Sequence, residues 1–379
     1  MKIAIWWNIP CKSIVPVARE LANIQNTEVT FISQSDLSES RKKLGWELPE
    51  FGGANYTILP ESGWREDVEK LVLGDYDLHI FNGVYLFPKL RFALDRARKL
   101  DIPFGVITEA YHNPYRCSKR VLKSLYTRLI TPFRVLPRIK KAKFVLSASG
   151  NNIRPFLNLG WRKDQFFPFG YFPENAGLVI SKMTRNSRPN LLCSGLIIKN
   201  KGQHLLLQAL SALKERHIEF NCTITGFGSE EENIKKLAHD LNIDDCVDFV
   251  GVVSDSKLNV LKKKADLLIA PGLEEPWGIR VNESLLAHTP VIVSDKIGAS
   301  ELILTSGAGR VFKSGNVDSL IQVLTEQLAI DELKKAKKNA KEFSSSITPN
   351  AAARYLYDVI LYSLQNIDKR PYPNWLAKK

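Results

Sequence analysis

Two carboxylates eight residues apart, Glu275 and Glu283, bracket the string Glu-Pro-Trp-Gly-Ile-Arg-Val-Asn-Glu. An apolar run ending in Ala270-Pro271 precedes it, and a helical pattern leads from it to Pro290-Val291-Ile292-Val293. A helix starting near Gly278 would present unpaired backbone N–H groups and its positive dipole end, with Gly278 and Ile279 foremost, to an anion. Glu275 then stands just ahead of that end, and Glu283 lies about 8 Å further along the axis. Carboxylates accept hydrogen bonds from hydroxyls. The arrangement suits a phosphate with a sugar on either side. The plainer reading is a helix whose Glu275 answers the dipole and whose Glu283 lies on a solvated face.

A second candidate is the turn Ser194–Gly202, which follows an apolar strand and precedes a helix. Gly195 permits close backbone approach, and Lys201, with Lys199 beside it, supplies a compact positive charge for phosphate. Thr225-Gly226-Phe227-Gly228 superficially suggests a dinucleotide fingerprint, but the third glycine is missing. Glu230, Glu231 and Glu232 would also repel a pyrophosphate there.

The string from Glu275 closely resembles the Glu-x7-Glu motif of retaining glycosyltransferases with the GT-B fold, family 4. The pattern is met at Glu275, Pro276, Trp277, Gly278, Glu283, Pro290 and Val291. The turn at Gly195 resembles that family's Gly-Arg-Leu-x3-Lys-Gly loop, with Leu196 at the arginine position. Gly226 and Val252 fall in stretches that resemble its nucleotide-pocket loop and base-side strand. The resemblance implies that Glu283 holds ribose hydroxyls and Glu275 the donor sugar, with Trp277 beside them. Lys201 and the Gly278–Ile279 backbone would hold the diphosphate. In the first half the likeness is architectural only. Asn8 and Lys12 are the polar candidates of the first strand-helix loop, on the acceptor side. His112 is the candidate for a histidine near the transferred sugar, and Glu109 is the alternative for that role. A lone loop histidine is more often a surface or structural residue.

The elements that must carry these residues alternate strand and helix. Ile3–Trp7, Glu28–Ser33, Leu78–Phe81, Phe104–Thr108 and Phe144–Ala148 read as strands, as do Leu191–Ser194, Asn221–Thr225, Val247–Val250, Leu267–Ala270 and Val291–Ser294. Such alternation predicts parallel sheets. At 379 residues the chain suits two domains. We read an α/β protein of GT-B type, two Rossmann-like doubly wound domains facing a cleft. The boundaries are 1–181, a polar linker at 182–190, a donor-binding domain at 191–348, and a C-terminal segment at 349–379 whose helix crosses back to the first domain. Leu320–Phe343 reads as one long helix.

The formal charge of +13 is unevenly placed. From Lys89 to Lys143 there are fifteen Lys or Arg against Asp95, Asp101 and Glu109, with apolar residues interleaved. Pro132 and Pro137 are expected to break this stretch into shorter helices. A basic segment with apolar anchors fits an anionic membrane surface, and equally a buried helix with a solvated face. No recognition module supports nucleic acid. The five scattered cysteines lack metal-ligand spacing and suit a reducing cytoplasm. The first residues do not read as a signal peptide.

The resemblance implies a retaining, metal-independent glycosyltransferase with no cofactor, moving a sugar from a nucleotide diphosphate sugar to a glycan, and the basic first half favours a lipid-linked glycan in surface polysaccharide synthesis. It would act in the cytoplasm or on the inner membrane face. A catalytically silent sugar-nucleotide-binding relative and a GT-B sugar-nucleotide epimerase stay open beside it.

Overall fold

A computed structural model describes residues 1–37, 47–84, 87–109, 131–150, 152–174, 188–365 and 367–377, with only the backbone described at 131–134. The chain divides into two compact units. The first takes the described residues up to Phe172 and returns for Pro349–Pro373; the second takes Pro173–Thr348 and Asn374–Lys379.

In the first unit the strands are β1 (Lys2–Trp7), β2 (Glu28–Ser33), β3 (Asn55–Ile58), β4 (Leu78–Asn82), β5 (Phe104–Thr108), β6 (Val145–Ser147) and β7 (Phe166–Pro168). The helices between them are α1 (Val15–Ala22), α2 (Trp64–Val72), α3 (Pro88–Lys99), α4 (Thr131–Ile139) and α5 (Arg154–Asn158). All neighbouring strands pair in parallel, in the order β3-β2-β1-β4-β5-β6-β7. β1 is a continuous apolar run because helices cover both faces of the sheet; Ile3, Ala4, Ile5 and Trp6 are fully buried. Pro137 does not break α4, which continues past it to Ile139. Residues 110–130 of the basic segment lie outside the described residues.

The second unit holds β8 (Asn190–Ser194), α6 (Gln203–Glu215), β9 (Asn221–Thr225), α7 (Glu231–Asp240), β10 (Val247–Gly251), α8 (Asp255–Lys264), β11 (Leu267–Ala270) and α9 (Ile279–Leu286). It continues with β12 (Val291–Ser294), α10 (Ser300–Ser306), β13 (Gly309–Phe312), α11 (Val317–Gln327) and α12 (Ile330–Phe343). Its parallel sheet runs β10-β9-β8-β11-β12-β13. The helix expected over Leu320–Phe343 is two helices. They part at Leu328-Ala329, where Ala329 turns to ψ 134° without any glycine or proline to announce it. β3, β7 and β13, each at an edge of its sheet, also escaped the sequence reading. The last helix, α13 (Pro349–Gln365), belongs to the first unit. Ala352, Ala353, Leu356, Val359 and Ile360 are fully buried along it, and Asn350 Nδ2 donates to Glu20 Oε2 on α1 at 3.2 Å.

Candidate functional site

Chain order reverses across the second sheet between β8 and β11, and the loops leaving their carboxyl ends define a topological switch point. After β8, Gly195 adopts φ 140°. A 3-10 turn over Lys199–Lys201 leads to Gly202, left-handed at φ 71°, where α6 begins. A Cβ on Gly202 would lie 2.1 Å from the Pro271 carbonyl oxygen, so only glycine lets this loop meet the one after β11. Asn200 completes the junction, donating from Nδ2 to the Glu274 carbonyl at 2.7 Å and accepting on its own carbonyl from Leu273 N–H at 2.9 Å.

This junction sets Lys201 Nζ 2.7 Å from Glu275 Oε1, with roughly a quarter of each side chain exposed (28% and 21%). Glu275 is itself fixed by its backbone: its N–H donates to Lys296 at 3.1 Å, and its carbonyl accepts from Gly298 at 3.2 Å. Gly278 then turns left-handed at φ 91° and opens α9 without a side-chain cap. The first N–H groups of the helix, at Ile279 and Arg280, are therefore not covered by a capping side chain. Gly195, Lys201, Glu275, Gly278, Ile279 and Arg280 line one cavity of about 210 Å³. Cys193 forms part of its floor. Burial pushes its thiol up to about 12; the Lys201 charge pulls the other way, and the Glu275 charge adds a smaller upward push. A thiol so held is neutral and is no nucleophile.

The other second-unit residues singled out from the sequence are not among those lining this cavity. Trp277 is 1% exposed, and its Nε1–H donates to Asn282 Oδ1 at 2.8 Å. Its indole is a core anchor rather than a ligand-facing surface. Glu283 is not on a solvated face: Lys262 Nζ and Arg280 Nη1 each reach its Oε2 at 2.8 Å, and the Lys262 and Glu283 side chains are 3% and 9% exposed. Gly226 faces backbone; a Cβ there would stand 1.8 Å from the Gly195 carbonyl oxygen. Lys199 and Val252 are exposed beyond the cavity lining.

In the first unit, Asn8 and Asn82 meet where β1 and β4 end, Asn82 Nδ2 donating to Asn8 Oδ1 at 3.0 Å. Lys12 is half-buried in the β1–α1 loop. Glu109 follows β5 and accepts from the Tyr171 hydroxyl at 2.8 Å. Burial, and then the Glu109 charge, push the Tyr171 phenol well above its ordinary range, so it stays a neutral donor. His112 lies outside the described residues. Several cations of the basic stretch are engaged. Lys89 donates to the carbonyls of Gln34, Leu59 and Pro60. Arg96 pairs with Glu69, Arg138 with Asp95, and Lys141 with Asp101.

Residues 181–343 match the family model of glycosyl transferases group 1. That stretch lies within the second unit. An uncharacterized glycosyltransferase of Methanocaldococcus jannaschii is 32% identical over 173 residues, 45% of this chain and 41% of that protein. A GDP-mannose-dependent alpha-(1-6)-phosphatidylinositol monomannoside mannosyltransferase of Mycobacterium tuberculosis is 31% identical over 148 residues, 37% of this chain and 38% of that protein. The aligned parts thus span about two-fifths of these relatives. The solved structure of Anabaena HepE in complex with UDP superposes with a TM-score of 0.68 at 14% identity, over 95% of this chain and 99% of that one. That likeness is one of fold, and the fold is GT-B.

Within the second unit, sequence reasoning missed Lys262 and Arg280. Lys262 stands 21 residues before Glu283, and only the folded chain brings them within 2.8 Å. Arg280 was legible in principle, because a cation in the first turn of a helix opposes the dipole. Among the described residues no three His, Cys, Asp or Glu side chains gather as a metal site, and no helix is long and apolar enough to cross a membrane.

Proposed function

We propose that this protein is a retaining glycosyltransferase that takes its sugar from a nucleoside diphosphate sugar. The observation that carries this is the Lys201–Glu275 pair, held over the N-terminus of α9 at the sheet's switch point. A diphosphate entering the cavity would meet the Lys201 ammonium and the opening N–H groups of α9. Both stabilise the negative charge that builds as the sugar–phosphate bond breaks and the diphosphate leaves with the bonding pair. Glu275, freed from Lys201, would accept hydrogen bonds from the sugar's hydroxyls. The acceptor hydroxyl then attacks on the face the diphosphate leaves, and a phosphate oxygen takes its proton. None of these steps requires a metal ion.

A lipid-linked glycan is the acceptor we favour. Support comes from the basic character of the first unit and from the lipid substrate in the mycobacterial relative's name. A silent sugar-nucleotide-binding protein is the second reading. It is favoured by Leu196, 44% exposed, at the loop position where a cation would grip phosphate. Turnover of a nucleotide-sugar panel, with and without lipid-linked acceptors, separates these readings. Acceptor-dependent release of nucleoside diphosphate is expected, falling roughly 10²–10³-fold in Glu275→Ala. Binding without turnover would establish the silent reading, and a new sugar nucleotide formed without acceptor would mark an epimerase.

A further inference from the structure

Among the described residues, three that carry charge line the cavity at the head of α9: Lys201, Glu275 and Arg280. Lys201 is matched by Glu275 at 2.7 Å. Arg280 is placed differently. It occupies the second position of α9, where a cation faces the positive end of the helix dipole and weakens the helix. Its partner, Glu283, already has a counter-charge in Lys262, 2.8 Å away and almost wholly buried. The ion pair therefore does not require the arginine. Local rules of this kind are broken chiefly where function demands it.

The guanidinium keeps one hydrogen bond among the described residues, Nη1 to Glu283 Oε2 at 2.8 Å, and its side chain is 35% exposed. A guanidinium carries five N–H donors in a rigid fork. Pinning one edge orients the fork and leaves further donors for an anion. Glu283, Asp255 and Glu275 all lie in its field and hold it charged. Leu196 lines the same cavity and contributes no charge, so among the described lining residues Arg280 is the cation that stands beside Lys201.

We propose that Arg280 is a further donor-binding residue, whose fork grips the diphosphate of the nucleotide sugar together with Lys201. This rests on the donor-site reading given under Proposed function. It also gives Glu283 a second task, as the carboxylate that aims the guanidinium.

Calorimetric titration of the full chain tests this, using ADP, UDP, GDP, CDP and dTDP alongside the corresponding nucleoside monophosphates. Wild type should bind at least one diphosphate. Arg280→Gln should weaken that diphosphate about tenfold or more, the loss expected when a charge-assisted hydrogen bond is removed. The matching monophosphate should change much less. Arg280→Lys, which keeps the charge without the fork, should fall between, with a melting temperature near wild type reporting an intact fold. Undiminished diphosphate binding in Arg280→Gln would overturn the proposal. So would equal losses for mono- and diphosphate, since Arg280 would then act only through Glu283. If wild type binds none of the five, the donor-site reading itself fails, and the wild-type arm alone shows it.

Discussion

Glu283 carries two cations on one carboxylate oxygen, and the consequences of removing it differ from those of removing either partner. Glu283→Gln would leave Lys262, 3% exposed, as a buried charge without its counter-ion. Breaking a buried pair from one side costs about 3 kcal/mol or more. The urea midpoint of the second unit should therefore drop clearly. Lys262→Met should cost less, because Arg280 still serves the carboxylate and the methionine fills the space of the lysine stem. Equal losses would show that Arg280 does not share the charge. In the first unit, His79 is fully buried on β4 and accepts from Trp6 Nε1–H at 2.9 Å on its Nδ1. Burial lowers its pKa to about 4. Between there and the unfolded value near 6.5, the unfolded chain binds the proton and the folded one does not. Stability must therefore fall as pH drops through that window, by about 2 kcal/mol between pH 7 and 5. Denaturant titrations at the two pH values should show the loss in wild type and little of it in His79→Gln.

At the scale of elements, the site is a junction of two loops rather than a property of either. The β8 loop brings Lys201 and the β11 loop brings Glu275, and Gly202 is what lets them touch. Gly202→Ala would force a left-handed φ on alanine and drive its Cβ into the Pro271 carbonyl oxygen, 2.1 Å away. A cost of roughly 1–3 kcal/mol is expected from the backbone strain. Because the contacting atom is backbone, the loops must part, and nucleoside diphosphate binding should weaken along with the melting temperature. A stability loss with unchanged binding would show that the junction does not position Lys201. Segments without such a constraint were harder to read. The break between α11 and α12 has no residue that forces it, and β3, β7 and β13 are short strands at sheet edges, paired on one side only.

For the whole molecule, the formal charge of +13 sets the long-range field. The structure reduces what the basic stretch contributes, since Arg96, Arg138 and Lys141 are each paired with a carboxylate. If the favoured lipid-linked acceptor is right, residual charge should still draw the protein to anionic vesicles. Sedimentation with phosphatidylglycerol-containing vesicles should exceed that with phosphatidylcholine alone. The difference should fade at about 0.5 M salt, where the screening length is only a few ångströms. No preference at low salt would remove the membrane from the proposal.

The sequence by itself determined the alternation of strand and helix, hence two parallel sheets. It also singled out the string from Glu275 to Glu283, because turn chemistry and apolar period are local signals carried by neighbouring residues. It likewise marked Lys201 and Gly195 as phosphate-side candidates. Only the tertiary structure decided how these groups are used. It paired Lys201 with Glu275, 74 residues along the chain, by fitting one glycine against one carbonyl. It buried Trp277 as an anchor, and it sank Lys262 behind Glu283. Charge partners and burial depend on which elements pack together, and no spacing along the chain encodes that distance.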